Sequence, residues 1–344
     1  MEHTLELGLD TFGDVTANAA GELISHAEQI RNVVAEAKLA DEVGVSFIGV
    51  GEHHRADFAV TTPETVLAGI ATVTKQIKLG SAVTVLSSDD PIRVYERFAT
   101  IDALSNGRAE VILGRGSFTE SFPLFGFELA DYEVLFEEKI ALFAELVKEG
   151  KTNWQGTTRT PLVDVEVYPK TESGRIPVWV GVGGSPQSVI RAAHYGFDLM
   201  LAIIGGSPAQ FAPFSKLYGD ALEKFGKPMG RVGAHSPGHI AETDEQAREE
   251  LWPHWQKYVT AIGRERGWGV ATRAQFEDGI SEHGALYVGS PETVAKKIAK
   301  NVKLLGLDRF DLKYSNGELP HSSSMKAIEL YGTKVIPMVH DLLS

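Results

Sequence analysis

Residues 77–116 read IKLGSAVTVLSSDDPIRVYERFATIDALSNGRAEVILGRG, which contains the pattern of a strand, a helix and a second strand. The apolar run at 77–86 predicts a strand, and Pro91 suits the first turn of the helix that follows it. The tripeptide SNG then supplies a turn before a second apolar run at 108–113. Two buried strands joined by a helix are the unit of a parallel sheet, so this stretch predicts an α/β fold.

The same alternation extends along the whole chain. Eight strands, each followed by a helix, predict a (β/α)8 barrel rather than a doubly wound sheet. Outside this rhythm, 154–168 favours a hairpin, and 264–288 favours a mobile loop over the site that shapes substrate selection. The predicted strands are 4–9, 46–50, 77–86, 108–113, 177–182, 197–204, 232–241 (interrupted by Pro237) and 310–314. The predicted helices are 22–43, 62–74, 91–104, 131–149, 185–195, 208–225, 291–305 and 323–343.

Composition excludes several classes of function. The 344 residues are 43% hydrophobic and 23% charged, and 33 Lys+Arg against 46 Asp+Glu give a net charge of −13, which disfavours nucleic-acid and anionic-membrane partners. The chain has no cysteine, so disulfides, thiolate zinc sites, iron–sulfur clusters and cysteine nucleophiles are excluded. No signal peptide and no apolar run of about 18 residues is visible, and we expect a cytoplasmic protein.

Polar motifs follow the predicted strands, where a (β/α)8 barrel places its active site. Gly51-Glu52-His53-His54-Arg55 follows the second strand, Gly114-Arg115-Gly116-Ser117 the fourth, and Gly183-Gly184-Ser185-Pro186-Gln187-Ser188 the fifth. A Gly/Ser turn that opens a helix offers backbone N–H groups to an anion, and an arginine between glycines adds a bidentate donor. The motifs therefore favour a phosphate site, although the serine turn also suits a simple helix cap. No nucleoside-triphosphate loop motif occurs.

The Glu52-His53-His54 cluster allows three interpretations. A metal site would need further ligands such as His235 or His239, and no metal-binding spacing is present. In the second interpretation the histidines have a structural role at the barrel rim. In the third, one of them is a general acid or base.

Three stretches resemble the bacterial-luciferase-like, flavin-dependent monooxygenases. They are the EHH cluster, the 77–116 block and WVGVGGSPQSVIRAAHYGFDLM at 179–200, and GSPETVAKKI at 289–298 also matches that family. The resemblance covers nearly the whole chain in matching order. It implies one domain over 1–344, with insertions at about 151–170 and 264–288, that holds FMN at the carboxyl ends of the barrel strands.

The resemblance also implies roles for individual residues. His53 matches the histidine near the flavin C4a position, and Ala82 and Val83 match the pair behind the isoalloxazine ring, often joined by a cis peptide. Arg115 matches the phosphate-binding arginine, and Ser117 adds a backbone contact. Ser185 and Ser188 match hydroxyl donors to the same phosphate. We expect His53 to be catalytic and the cofactor to contact Glu52, Ala82, Val83, Gly114, Arg115, Gly116, Ser117, Gly183, Gly184, Ser185 and Ser188, with no metal.

Two positions depart from the family pattern. Gly114 stands where the luciferases carry a cysteine, and Gly184 replaces an acidic residue beside the phosphate serine. The first departure favours a luciferase-like oxidoreductase over a light-emitting enzyme. The loop after the fourth strand holds Phe118, Phe122, Phe125 and Phe127, which either line an apolar pocket or form a satellite core.

The expected activity is oxygenation of a small organic substrate by reduced FMN and O2 through a flavin C4a-hydroperoxide. The resemblance implies a homodimer and a separate NAD(P)H:flavin reductase as partner. Three alternatives stay open: a deazaflavin (coenzyme F420) enzyme that transfers hydride without O2, a non-catalytic flavin-binding relative, and a non-flavin barrel that binds a sugar phosphate.

Overall fold

A computed structural model describes residues 5–18, 20–116, 118–267 and 269–344 of the chain. Strands and helices alternate in the order that the sequence predicts. The strands are β1 Glu6–Thr11, β2 Phe47–Val50, β3 Lys78–Ser81, β4 Thr84–Val85, β5 Ala109–Gly114, β6 Thr152–Trp154, β7 Leu162–Val165, β8 Val178–Val182, β9 Asp198–Ala202, β10 Val232–Ile240, β11 Tyr287–Gly289 and β12 Arg309–Lys313.

Helices follow the strands and cover the outside of the sheet. In the described residues they are α1 His26–Glu42, α2 Pro63–Val73, α3 Pro91–Ser105, α4 Ser121–Leu124, α5 Tyr132–Leu146, α6 Pro186–Tyr195, α7 Ala212–Lys224, α8 Asp244–Arg266, α9 Arg273–Ile280, α10 Pro291–Leu305, α11 His321–Leu330 and α12 Ile336–Leu343. Short 3₁₀ turns lie at Leu86–Ser88, Leu129–Asp131 and Pro208–Phe211, and a π-helical turn at Tyr331–Val335 joins α11 to α12. None of the described helices is both long and apolar enough to cross a bilayer.

Eight of the described strands close into a parallel barrel. The neighbours run β1-β2-β3-β5-β8-β9-β10-β12, and β12 pairs back onto β1 with Glu6 opposite Arg309 and Asp10 opposite Lys313. The four remaining described strands are short and lie outside this ring: β4 extends the β5 edge, β11 extends the β10 edge, and β6 pairs antiparallel with β7 in a separate hairpin. The predicted (β/α)8 fold is therefore confirmed.

Two sequence predictions about local structure need correction. The mobile loop predicted at 264–288 is wrong, because α8 continues to Arg266, α9 begins at a Thr272 capping box, and β11 follows. Pro237 does not interrupt β10. On the side of β10 that faces β9, the His235 carbonyl accepts the Ile203 N–H. Because β9 ends at this point, the N–H group that Pro237 lacks leaves no β9 carbonyl without a partner.

The barrel interior is filled in layers, because every second strand residue points inward. At the amino-terminal end, fully buried Arg309 lies between Glu6 and Glu110, with its Nη2 atom 2.8 Å from Glu110 Oε2. Phe47 and Trp179 sandwich the guanidinium with ring centroids 4.4 and 4.5 Å away. This ion network closes the end of the barrel opposite the strand-end motifs. The next layer consists of Phe47, Ile112, Trp179 and Met200.

Candidate active site

Glycines line one side of the barrel mouth and leave room for the Ala82-Val83 segment between β3 and β4. A Cβ atom added to Gly114 would lie 2.4 Å from Val83 Cγ2, and one added to Gly49 would lie 2.8 Å from the Ala82 Cβ. Val83 also faces Gly181 on β8. The Ala82-Val83 peptide bond is cis, as the resemblance implies. Ala82 and Val83 therefore form the back wall of the mouth.

His53, at the end of β2, lies in an aromatic cage above this wall. Its ring centroid is 5.0 Å from Phe12, 4.5 Å from Phe58 and 5.0 Å from Phe118. Glu120 Oε1 lies 3.8 Å from Nδ1 of His53. Burial alone would raise the pKa of Glu120, but the His53 ring and nearby backbone N–H groups hold it below its ordinary value. A carboxylate thus faces one ring nitrogen of an otherwise apolar imidazole site.

Glu52 and His54 turn away from His53 and anchor the loop. His54 Nε2 lies 2.9 Å from Glu52 Oε1, and Glu52 Oε2 accepts the Val85 N–H at 3.0 Å. Both carboxylate oxygens of Glu52 are therefore engaged within the protein. Glu52 therefore joins the β2 loop to the strand beyond Ala82-Val83.

A cluster of two arginines and a glutamate lies beside the glycine wall. Arg115 donates from Nη1 to Glu133 Oε1 at 2.5 Å and covers the Tyr132 ring. Arg191 on α6 lies 3.8 Å from the other Glu133 oxygen, and its Nη1 donates to Ser188 Oγ at 3.2 Å. Arg191 also pairs with Glu137. One exposed carboxylate thus bridges two guanidinium groups, one from the loop after β5 and one from helix α6.

The serine turn caps α6 directly. Ser185 is the N-cap residue and its Oγ accepts the Ser188 N–H at 3.4 Å, so the structural alternative considered for this motif is realised. Gly183 and Gly184 meet no atom within 4 Å of an added Cβ, and the backbone beside the cap is open. Gly116 has a positive φ of 79°, and its carbonyl accepts the Tyr132 hydroxyl. Ser117 lies outside the described residues.

The opposite side of the mouth is polar, and the sequence motifs did not reveal it. His235 on β10 is hydrogen-bonded through Nδ1 to the buried Asp10 carboxylate, and its ring stacks on Phe12 with centroids 6.0 Å apart. Lys313 donates to Asp14 at 3.1 Å and lies 4.8 Å from the Phe12 centroid. The sequence signal for this polar side is the alternation of charged residues along β1 and β12. In a strand this alternation puts Asp10 and Lys313 on inward positions.

Of the phenylalanines after β5, some lie at the candidate site and others pack in a satellite core. Phe118 contacts His53 at the site, while Phe122 is buried against Tyr132. Phe125 lies over His54, and Lys139 covers the ring of Phe127. Only part of this loop, around Phe118, therefore adjoins the candidate site.

Helix α8 reaches the same end of the barrel. Glu265, near its end, accepts two hydrogen bonds from Arg55, at 2.6 and 3.0 Å, and Arg55 covers the Phe118 ring. Within the segment 264–288 that is predicted to shape substrate selection, Arg273 pairs with Glu277 and Glu249. Trp268 of this segment lies outside the described residues.

Metal binding finds no support in the described residues. His239 pairs with Glu250 Oε2 at 2.8 Å, whereas His235 pairs with Asp10. No cluster of three or more potential ligands was found within the described ranges.

The family model described as "Luciferase-like monooxygenase" matches residues 11–309. The chain belongs to this family. Limonene 1,2-monooxygenase of Rhodococcus erythropolis is 28% identical over 269 residues, which cover 76% of this chain and 68% of that protein. The alkanal monooxygenase alpha chain of Photorhabdus luminescens is 25% identical over 262 residues, covering 73% and 71%.

Solved structures share the luciferase-like fold over almost the whole chain. A monooxygenase from Streptomyces bottropensis has a TM-score of 0.84 at 22% identity, covering 97% of this chain and 99% of that chain. The oxygenating constituent of 3,6-diketocamphane monooxygenase of Pseudomonas putida, in complex with FMN, has a TM-score of 0.75 at 17% identity, covering 97% and 98%. The coenzyme F420 dependent tetrahydromethanopterin reductase of Methanopyrus kandleri has a TM-score of 0.74 at 19% identity, covering 97% and 99%. The fold therefore occurs with both cofactors.

We expect Gly114→Cys, which introduces the luciferase residue, to destabilise this protein. The new side chain overlaps Val83, and overpacking a filled interior costs about 1–3 kcal/mol of the free energy of unfolding. Urea unfolding followed by circular dichroism would measure the loss. Gly183→Ala, whose added carbon meets no atom within 4 Å, is the control. Val83→Ala in the Gly114→Cys background should recover part of the stability; no recovery would contradict this explanation.

Proposed function

We propose that this protein is an FMN-dependent monooxygenase that uses reduced FMN and O2 to oxygenate a small organic substrate. The observation that carries the proposal is the bridging of Arg115 and Arg191 by one exposed carboxylate, beside an open glycine turn. Two guanidinium groups that share one anion are suited to the phosphate of a flavin mononucleotide. Membership of the luciferase-like family supports the same assignment.

The residues at the mouth fit a bound FMN. Arg115, Ser185, Ser188 and the backbone of the Gly183 turn would hold the phosphate, and Arg191 is an additional donor that motif reading did not identify. The Ala82-Val83 wall would support the flat ring system, and Gly49, Gly114 and Gly181 leave the room that this wall occupies. Bound reduced FMN would supply the two electrons that allow one atom of O2 to enter the substrate while the other leaves as water.

The chain's own contribution to catalysis centres on His53. The Glu120 carboxylate, 3.8 Å from Nδ1, stabilises a proton held on that nitrogen, which leaves Nε2 to accept a proton or return it. Phe12, Phe58 and Phe118 surround the imidazole and exclude water from it. We propose that His53 is the catalytic acid and base beside the flavin.

The supply of reduced flavin is assigned to a second protein. By the family resemblance, a separate NAD(P)H:flavin reductase is the proposed source of reduced FMN. By the family resemblance we also propose a homodimer. Adding a flavin reductase and NADH should be required for turnover, and sedimentation would give the oligomeric state.

Cofactor binding and oxygen reactivity test the proposed function. Equilibrium dialysis should give tighter binding of reduced FMN than of oxidised FMN or coenzyme F420. When the reduced complex is mixed with O2, flavin reoxidation should be biphasic. Preferential binding of coenzyme F420, or single-step reoxidation at the rate of free flavin, would contradict an FMN monooxygenase.

We expect His53→Ala to lower product yield far more than FMN affinity. The imidazole lies away from the arginine cluster, and removing a general acid or base lowers the rate by roughly 10²–10⁴-fold. Oxygen consumed can be compared with oxygenated product, since uncoupled turnover releases hydrogen peroxide instead. His194→Gln, an exposed histidine on α6, is the control. Equal losses of FMN affinity and product yield would assign His53 to binding alone.

A further inference from the structure

The pair formed by Asp10 and His235 lies on the polar side of the mouth. Asp10 is on β1 and His235 is on β10, so only barrel closure brings them together. The Asp10 side chain is buried and bonded to Nδ1 of His235. A carboxylate on Nδ1 holds the proton on that nitrogen and leaves Nε2 as a proton acceptor.

The second ring nitrogen of His235 is available for a ligand. Among the described residues no hydrogen-bond partner of Nε2 is found, and the side chain keeps 10% of its surface exposed. His235 shares its inward-facing row with Gly233, whose added Cβ would meet Met200 inside the barrel. The ring therefore belongs to the interior of the mouth.

Charged groups lie close to the pair. Asp311 on β12 is fully buried, and burial raises its pKa well above the ordinary value. Lys313 is held by Asp14 and lies against Phe12. The buried hydroxyl groups of Tyr314 and Tyr331 also lie near Asp10. His53 lies on the far side of Phe12.

Aromatic rings lie against one face of the pair. Phe12 stacks with His235 at an interplanar angle of 24°, and its edge contacts His53. Phe118, half-buried, continues this surface toward Arg55. Aromatic rings beside one proton acceptor suit a planar molecule with an acidic hydroxyl group.

We propose that Asp10 and His235 form a general-base pair that ionises an aromatic hydroxyl group of the substrate. The O–H bond breaks, its electron pair stays on the substrate oxygen, and the proton binds Nε2 of His235. The imidazolium that results donates its Nδ1–H to Asp10, which balances the new positive charge. The inference rests on the proposed function, since the electron-rich phenolate would be the molecule that accepts oxygen from the flavin system.

A coloured phenol tests the pair without flavin or oxygen. The protein, freed of flavin by dialysis, is titrated with 4-nitrophenol in buffer just below the pKa of the free probe, where the neutral form predominates. We expect the bound probe to show the absorbance of the anion. In His235→Gln and Asp10→Asn, the ratio of bound anion to bound neutral probe should fall by about tenfold or more, as for the loss of a charge-assisted hydrogen bond.

Two controls make the result specific. His194→Gln should retain the wild-type spectrum. If His235→Gln fails to fold, Asp10→Asn still tests the pair, because it keeps both the imidazole and the shape of the carboxyl group. A wild-type protein that binds the probe only in its neutral form, or does not bind it, overturns the proposal, as does an unchanged spectrum in either variant.

FMN affinity measured in the same variants separates this proposal from the proposed function. The arginine cluster lies on the loop after β5 and on helices α5 and α6, so we expect Asp10→Asn to bind FMN like the wild type. If the wild type binds FMN normally but binds 4-nitrophenol in its neutral form, the proposal of a general-base pair is overturned and the flavin assignment is not. An ionised probe without FMN binding overturns the flavin assignment alone.

Discussion

Arg115→Ala should weaken FMN binding by roughly ten- to a hundredfold. A charge-assisted hydrogen bond contributes about 1.5–3 kcal/mol, and each 1.4 kcal/mol is about a tenfold change in affinity. Arg115 is 27% exposed and pairs with Glu133, so its removal should leave the fold intact. Fluorescence titration with FMN measures the effect. Riboflavin, which lacks the phosphate, should bind the variant and the wild type equally.

Glu133→Gln should act in the opposite direction. Glu133 holds Arg115 and lies near Arg191, and its negative charge repels a phosphate drawn to the same two groups. The amide keeps the shape of the side chain and removes the charge, so FMN affinity should rise while riboflavin affinity stays constant. Equal losses of FMN and riboflavin in Arg115→Ala, or weaker FMN binding in Glu133→Gln, would contradict the phosphate assignment.

Arg309→Met should cause a large loss of stability, about 3–5 kcal/mol in the free energy of unfolding. Removing one partner of a buried ion pair leaves the other charge uncompensated. Arg309 is fully buried between Glu6 and Glu110, and its guanidinium also lies between two aromatic rings. Urea unfolding would measure the change. Lys216→Met, at an exposed pair with Asp220, should cost less than about 1 kcal/mol.

The pH dependence of stability follows from the same network. Burial alone would raise the pKa of Glu110, but Arg309, Lys78 and Arg231 lower it from 4.5 to about 2. A carboxyl group with a lowered pKa stabilises the folded state above its unfolded pKa, and that contribution disappears as pH falls from about 4.5 toward 2. We expect the wild type to lose stability in this window. Arg309→Met should lose less there, and an identical acid slope would contradict the assignment.

The barrel was predictable because each element carries a local signal. The helix at 291–305 has an apolar face and the strand at 46–50 is apolar throughout, and these patterns depend only on neighbours in the chain. The segment at 264–288 was misjudged, since α9 and its capping box lie in a polar stretch whose burial depends on packing against α8. Helix propensity is a weak signal where tertiary contacts decide.

The candidate site was predictable only where its residues are contiguous. The EHH cluster with His53 and the glycine-flanked Arg115 each follow a predicted strand directly. This position in the sequence indicates them as candidates for the site. Arg191 gave no such signal, because it lies inside an amphipathic helix. Its relation to Glu133, 58 positions earlier in the chain, arises from the packing of α5 and α6 beside the barrel.

The sequence by itself determined the barrel, its family and the motif that holds His53, because periodicity and contiguous motifs are local properties of the chain. Only the tertiary structure decided which charges meet inside the barrel. Asp10 and His235 are 225 positions apart and become partners because closure of the sheet brings β1 and β10 to the same polar side. Long-range pairing of this kind depends on strand order and register, which alternation along one strand does not encode.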